Sequence, residues 1–287
     1  MSGFDSLAAI LRDPPPEFAF EISAAGIAMS RTRPPATVQF QPLDPGTLSP
    51  SPVKENVLDA GAFADAVRKL APPAASRRRR AAALILPDQA VRLTILDFET
   101  LPEKEEERQS LIRFRMRKTV PFDIDEAALS YYRQSDNKVI VAVAPAEIIA
   151  HYEAPFRAAN LQPGFVTCAS MALLELLPNA GSVLAAHQGP GHLSLLGLRD
   201  GVLTLARTLE LDHTSSLADD LYPTLVYLED QTGQRPERLI LVGSTAGPSA
   251  EELSAELKLP VEIIPDEHAP LTGYLRSVDP VVRKAAA

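Results

Sequence analysis

Leu111-Ile-Arg-Phe-Arg-Met-Arg-Lys-Thr-Val-Pro-Phe-Asp123 is the stretch on which the reading of the fold turns. It completes a helical segment, Glu103–Lys118, whose acids come first and bases last. That order suits the helix dipole. Pro121 ends the helix, because proline lacks the amide proton that a further turn needs. Ala128–Gln134 and Lys138–Ala144 then read as paired strands around a Ser135–Asn137 turn. Pro145–Asn160 reads as an amphipathic helix opening on proline, a favoured first position.

Working outward, Phe18–Ser23, Ile27–Arg31 and Thr37–Gln41 form a β-meander with a tight turn at Ala24–Gly26. Val57–Leu70 has helical periodicity and is stopped by Pro72–Pro73. Strands Ala83–Leu86 and Val91–Phe98 follow. Beyond the central stretch come a strand, Gly164–Ala169, and a short helix, Met171–Leu177. A second meander then appears: Ser182–His187, His192–Leu198 and Val202–Leu209, with turns at Gly189–Gly191 and Arg199–Gly201. Leu217–Thr232 is a helix, Arg238–Val242 a buried strand, Ala250–Leu257 a helix and Val261–Ile264 a last strand. Each half therefore runs ββ(β)–α–β–α–β, which predicts an α/β protein of two lobes. The repetition is one of architecture, without a residue-by-residue repeat.

The 287 residues fit two domains at roughly 100–200 residues each. Hydrophobic residues at 46% and charged residues at 23% permit a proper core. Prolines cluster near the start, at Pro14–Pro16, Pro34–Pro35, Pro42, Pro45, Pro50 and Pro52, which predicts a loop-rich region. A net charge of −9 argues against a nucleic-acid binder, which gains affinity by neutralising phosphates. Local basic patches remain at Arg77–Arg80 and at Arg113, Arg115, Arg117 and Lys118; a solvated loop is the plain account of the arginine run. The single cysteine, Cys168, permits no internal disulfide and fits a reducing compartment. The N-terminus lacks the cationic start of a signal peptide. No apolar run reaches the about 18 residues of a membrane span, and Trp is absent.

The chain has no Gly-x-x-x-x-Gly-Lys-Ser/Thr loop, no Gly-x-Gly-x-x-Gly, no His-Glu-x-x-His and no Gly-x-Ser-x-Gly elbow. The five histidines are scattered, with His187 and His192 on either side of a turn, so no metal site is expected. Cys168 in an apolar strand reads as a core residue, not a nucleophile. Asp123, Asp125 and Glu126 have the chemistry to hold a hard cation but read as a solvated loop. Asp219–Asp220 read as first-turn helix acids. One combination is more suggestive. Two strand–turn–strand units, with a strand running into Gly243-Ser-Thr-Ala-Gly247, outline a nucleotide clamp whose glycines let backbone approach phosphate.

With these elements in place, the chain resembles the actin-like ATPase group, and within it the PilM-type proteins of type IV pilus assembly. The cell-division protein FtsA and the type II secretion L-type proteins are more distant relatives. The resemblance lies chiefly in Leu84–Leu177: Ile85-Leu-Pro-Asp-Gln-Ala-Val-Arg92, the Leu111–Asp123 stretch, Val139-Ile-Val-Ala-Val-Ala-Pro145 and Phe156-Arg-Ala-Ala-Asn-Leu-Gln-Pro163. It implies an actin-like fold of two ribonuclease H-like lobes with a small subdomain inserted in the first. The implied division is 1–16 as an extension, 17–100 as first lobe, 101–163 as inserted subdomain, 164–180 as return to the first lobe, and 181–287 as second lobe.

The departures are informative. Where the family carries Asp-Ile-Gly-Ser-Ser-Ser at its first phosphate segment, this chain has Glu21-Ile-Ser-Ala-Ala-Gly26. Where the second segment carries Asp-Ile-Gly, it has Ala186-His-Gln188, so the acid that orders a metal-bound water is absent. The adenosine segment is Gly243-Ser-Thr-Ala-Gly247. By resemblance, Glu21, Ser23, Gly26, Gln188, Gly189, Gly243 and Ser244 are the degenerate remnants of a site for ATP with Mg, and no catalytic residue is assigned.

The implied function is a pseudo-ATPase scaffold on the cytoplasmic face of the inner membrane, in a pilus or secretion platform. It would hold the cytoplasmic tail of a PilN-like membrane-anchored protein, beside other platform proteins, and meet the membrane only through them. In the family that tail lies between the first lobe and the inserted subdomain; Arg113, Arg117 and Phe122 are the candidate contacts. Two alternatives stay open: an active actin-like ATPase or kinase in which Glu21 replaces the usual Asp, and a ribonuclease H-like nuclease using Glu21 with two metals.

Overall fold

The structure, a computed structural model, describes residues 15–34, 36–73, 79–211, 216–243 and 247–279. Most of the expected N-terminal extension, Arg77 and Arg78 of the arginine run, and Ser244 lie outside the described residues.

The first sheet contains β1 (Phe18–Ser23), β2 (Gly26–Arg31), β3 (Gln39–Pro42), β4 (Arg80–Leu86) and β8 (Leu161–Cys168). Its order is β3-β2-β1-β4-β8, with the meander antiparallel and the β1–β4 and β4–β8 pairs parallel. β1 is buried almost throughout, because helices cover both faces of the sheet. On one face lie α1 (Ala60–Leu70) and α3 (Ala146–Ala158). Their Phe63, Val67, Tyr152 and Phe156 pack on Phe18, Phe20 and Leu84. Phe63 meets the Tyr152 and Phe156 rings edge-on, at 6.2 Å in each case, the arrangement that aromatic quadrupoles favour. α1 begins three residues later than periodicity suggested, because Asp59 caps it by accepting from the Ala62 amide at 2.9 Å. Val57 instead bridges to Leu48.

The other face carries α4 (Ala169–Leu173) and α7 (Ala269–Val278). This face of the sheet is built from small residues, Ala19, Ala28 and Ala83, beside Ile85, and it receives Leu271, Tyr274 and Val278. Gly273 is where α7 meets α4: a Cβ there would lie 2.1 Å from the Ala172 carbonyl oxygen. The C-terminal helix thus belongs to the first lobe, which corrects the assignment of 181–287 entirely to the second. It was not anticipated, since Pro270 and Gly273 disguise its helical pattern.

The second sheet repeats the plan. It holds β9 (Ser182–Gly189), β10 (His192–Arg199), β11 (Val202–Glu210), β12 (Arg238–Gly243) and β13 (Val261–Ile264), in the order β11-β10-β9-β12-β13. The mixture of antiparallel and parallel pairs matches the first sheet strand for strand. Helices α5 (Leu217–Thr232) and α6 (Ala250–Leu257) cover one face through Leu221, Leu225, Leu253 and Leu257. Each opens with a capping box, Ser216 with Asp219 and Ser249 with Glu252, and this fixes both starts where the sequence placed them. The other face, with Val183, Ala185, Leu196 and Ile240, packs on Leu173, Leu174 and Leu177 between the lobes.

A third, small sheet has the order β5-β7-β6, from β5 (Arg92–Asp97), β6 (Ala127–Arg133) and β7 (Lys138–Pro145). One of its faces is covered by α2 (Glu105–Met116), whose Ile112 and Met116 pack on Val139, Val141 and Val143. The sheet boundaries differ from the expected 101–163 insertion. β5 pairs with β7 from Arg92↔Val143 to Asp97↔Lys138, so the insertion begins at Arg92. It ends at Pro145, because α3 and β8 pack into the first lobe. Gln134 reaches the second lobe, donating to the Leu203 carbonyl at 2.9 Å and accepting from the Leu203 amide at 2.8 Å.

Candidate functional site

Two features lie where the three sheets converge: a polar cluster between the lobes and an apolar groove beside the small sheet. The cluster forms at the strand ends. Asp88 follows β4 in a short 3-10 turn and is 3% exposed. Its Oδ1 accepts from the Ser170 amide at 2.8 Å. Its Oδ2 accepts from Ser170 Oγ at 2.8 Å and from Ser194 Oγ, across the lobes, at 2.6 Å. Hydrogen bonds of this charge-assisted kind are the stronger ones in proteins.

Two imidazoles face the same carboxylate. His187 ends the buried part of β9 opposite Ser194, and His192 opens β10 opposite Gly189. The hairpin register puts both rings on one face, 6.0 Å apart between centroids. The scattered-histidine reading is therefore corrected: the turn that separates them in sequence brings them together. Burial pushes the His187 imidazole down to about 4, against the lift from the Asp88 charge. Neither His187 Nδ1 nor His192 Nε2 has a hydrogen-bond partner.

The residues expected at phosphate segments have other occupations. Glu21 is buried, and that burial raises its carboxyl to about 8, aided by the nearby charges of Asp266 and Asp88. Its Oε2 accepts from the Leu271 amide at 3.1 Å, a donor in the first turn of α7. Ser23 Oγ donates to the Gly26 carbonyl within its own hairpin at 3.2 Å. Gly26 lies under Phe40, whose ring would be 2.4 Å from a Cβ there. Gln188 pairs with Gly243, which has φ +119° and whose Cβ would meet the Gln188 carbonyl oxygen at 2.8 Å. Only glycine suits such a backbone. Gly189 makes room for a side chain: a Cβ there would fall 2.1 Å from His192 Cε1. Cys168 is buried with its thiol pushed well above the ordinary value by that burial, which suits a core residue.

This residue set does not match Mg with a nucleotide. Magnesium takes oxygen ligands in octahedral geometry. Here Glu21 is buried with its carboxyl pushed up to about 8, and an imidazole, His187, stands at the second segment.

The groove has a cavity of about 370 Å³. On one side it is lined by Leu129–Tyr132 of β6 with Ala142 and Ala144 of β7, and on the other by Phe165–Cys168 of β8. β6 and β8 are both edge strands. Arg113, Arg117 and Phe122 do not line it. α2 covers the opposite face of the small sheet, and there Arg113 donates to the Ile124 carbonyl at 2.7 Å. Arg117 pairs with Asp125 at 2.8 Å, and Phe122 packs on the core under α2. The Asp123–Glu126 loop is thus neutralised in part by its own arginine.

Two lobes with matching five-stranded sheets and a small sheet inserted in the first define an actin-like fold. The solved PilM–PilN type IV pilus biogenesis complex superposes with a TM-score of 0.76, covering 93% of this chain and 100% of that one at 20% identity. The cytoplasmic domain of EpsL, an inner-membrane component of the Vibrio cholerae type II secretion system, gives 0.58 over 91% and 93% at 12% identity. A Bacteroides thetaiotaomicron protein of unknown function with an actin-like ATPase fold gives 0.56 over 90% and 94% at 16% identity. No protein-family model matches the sequence, and no curated protein matches it significantly. Among the described residues, no helix is long and apolar enough to cross a membrane.

Proposed function

We propose that this chain is a non-hydrolysing scaffold of a type IV pilus or type II secretion inner-membrane platform, and that it holds the cytoplasmic tail of a PilN-like membrane protein. The observation that carries this reading is the apolar groove between two unpaired strand edges, β6 and β8. An extended peptide added to such an edge gains main-chain hydrogen bonds, and the apolar walls accept alternate side chains. The fold shared with a complex that contains PilN supports the choice of partner. Membrane contact then comes through the anchored partner. The other occupations of the phosphate segments support the absence of hydrolysis: Glu21 accepts from an α7 amide with its carboxyl pushed up to about 8, and His187 stands at the second segment.

Calorimetry with a synthetic PilN-like N-terminal tail peptide tests the assignment. Saturable binding is expected. Ala142→Asp, which places a charge in the groove, should weaken binding at least about tenfold, since an uncompensated buried charge costs more than ~1.4 kcal/mol. Arg113→Ala and Arg117→Ala should leave affinity within about twofold. The same preparation should release no phosphate from Mg-ATP. Loss of binding in the arginine variants with none in Ala142→Asp would contradict the groove assignment.

A further inference from the structure

We infer that Asp88, His187 and His192 bind one zinc ion that clamps the two lobes together. The three residues each offer a ligand atom, and these atoms all lie within 4.8 Å of one another. They come from both lobes: Asp88 from the end of β4, the histidines from the β9–β10 hairpin.

The nitrogens are prepared for a metal. His192 Nδ1 contacts the Pro190 carbonyl oxygen at 3.3 Å, so it carries the proton and donates. Its Nε2 is then the lone-pair nitrogen, and it is buried without a partner. His187, 7% exposed, likewise buries an Nδ1 that has no partner. Buried polar atoms are nearly always satisfied, so two orphans on the imidazoles that cluster with one carboxylate point to a missing ligand. The carboxylate is oriented by its surroundings. Ser170 and Ser194 hold Oδ2 through their hydroxyls, and the Ser170 amide donates to Oδ1. Such outer-shell hydrogen bonds fix metal ligands in orientation.

The chemistry selects the ion. Two imidazoles and one carboxylate suit zinc, with a fourth position left for water, whereas magnesium and calcium prefer oxygen. Zinc–nitrogen bonds of about 2.0–2.1 Å require the ligand atoms to close to about 3.4 Å. Side-chain rotation supplies this movement, because neither nitrogen gives up a hydrogen bond to make it. Gly189 keeps the way clear, since any Cβ there would press on the His192 ring.

The test titrates the metal-free full chain with Co²⁺, then displaces it with Zn²⁺. One equivalent of Co²⁺ is expected to give the visible absorption of a four- or five-coordinate nitrogen–oxygen site, lost on adding Zn²⁺. A hundredfold excess of Zn²⁺ over Kd should raise Tm by about 5 °C or more. Asp88→Asn and His192→Gln should weaken Co²⁺ binding at least about tenfold. Gly189→Ala, which changes no ligand, should do the same while the far-ultraviolet circular dichroism stays native. His151→Ala and His268→Ala should bind like the parent chain. The proposal is overturned if the parent chain takes up no stoichiometric Co²⁺ at tens of micromolar. It is equally overturned if binding follows His151 or His268, or survives in folded Asp88→Asn and Gly189→Ala. If a ligand variant does not fold, the parent spectrum and the Gly189→Ala result decide.

Discussion

Glu21 shows how a buried acid can take a structural role. Its carboxyl titrates near 8 because it is buried, and its Oε2 accepts from a first-turn amide of α7. The unfolded reference is 4.5. Between these values the folded chain holds a proton that the unfolded chain releases, so stability falls as pH rises through this window and levels above it. Glu21→Gln keeps the acceptor and cannot ionise. Urea unfolding at pH 5, 7 and 9 should show the parent losing up to ~4 kcal/mol relative to the variant, at ~1.4 kcal/mol per pH unit. Equal slopes for the two proteins would show that Glu21 is ionised throughout. At this scale the sequence was half legible. The replacement of an acid and a glycine by Glu21 and Ser23 was visible, as was the histidine at the second segment. That Asp88 faces His187 and His192 was not, because only the β9–β10 register and the approach of β4 bring them together.

Elements were legible where local chemistry decides them. Capping boxes at Ser216 and Ser249 set α5 and α6, and the Arg199-Asp-Gly201 turn set the β10–β11 hairpin. They were less legible where partners are distant in sequence. β5 reads like a continuation of the first lobe until its pairing with β7 is seen. α7 was missed because Gly273 lowers its helix propensity. The same glycine is what lets α7 sit on α4, so Gly273→Ala should overpack the contact. We expect a loss of about 1–3 kcal/mol by denaturant unfolding. A neutral or stabilising result would mean that α7 can rise off Ala172 at no cost. The arginines of α2 form the basic helix end that the sequence shows, and they do not line the cavity beside β6 and β8. Periodicity does not say which face of a sheet a helix covers, and Ile112 and Met116 turn it away from β8.

At the scale of the molecule, side chains of both lobes meet across the cleft of the actin-like architecture. Asp88 ties the lobes through Ser194, and Gln134 ties the inserted sheet to Leu203 of the second lobe. The two-lobed repeat was readable from the order of strands and helices, whereas the groove was not, since it is made by β6, β7 and β8 together. Hydrogen–deuterium exchange with and without the PilN-like tail peptide tests the central claim most directly. The account predicts slowed exchange confined to β6 (Ala127–Arg133) and β8 (Leu161–Cys168). Protection at the hairpins around Ala24–Ala25 and Pro190–Gly191, with β6 and β8 unchanged, would contradict it.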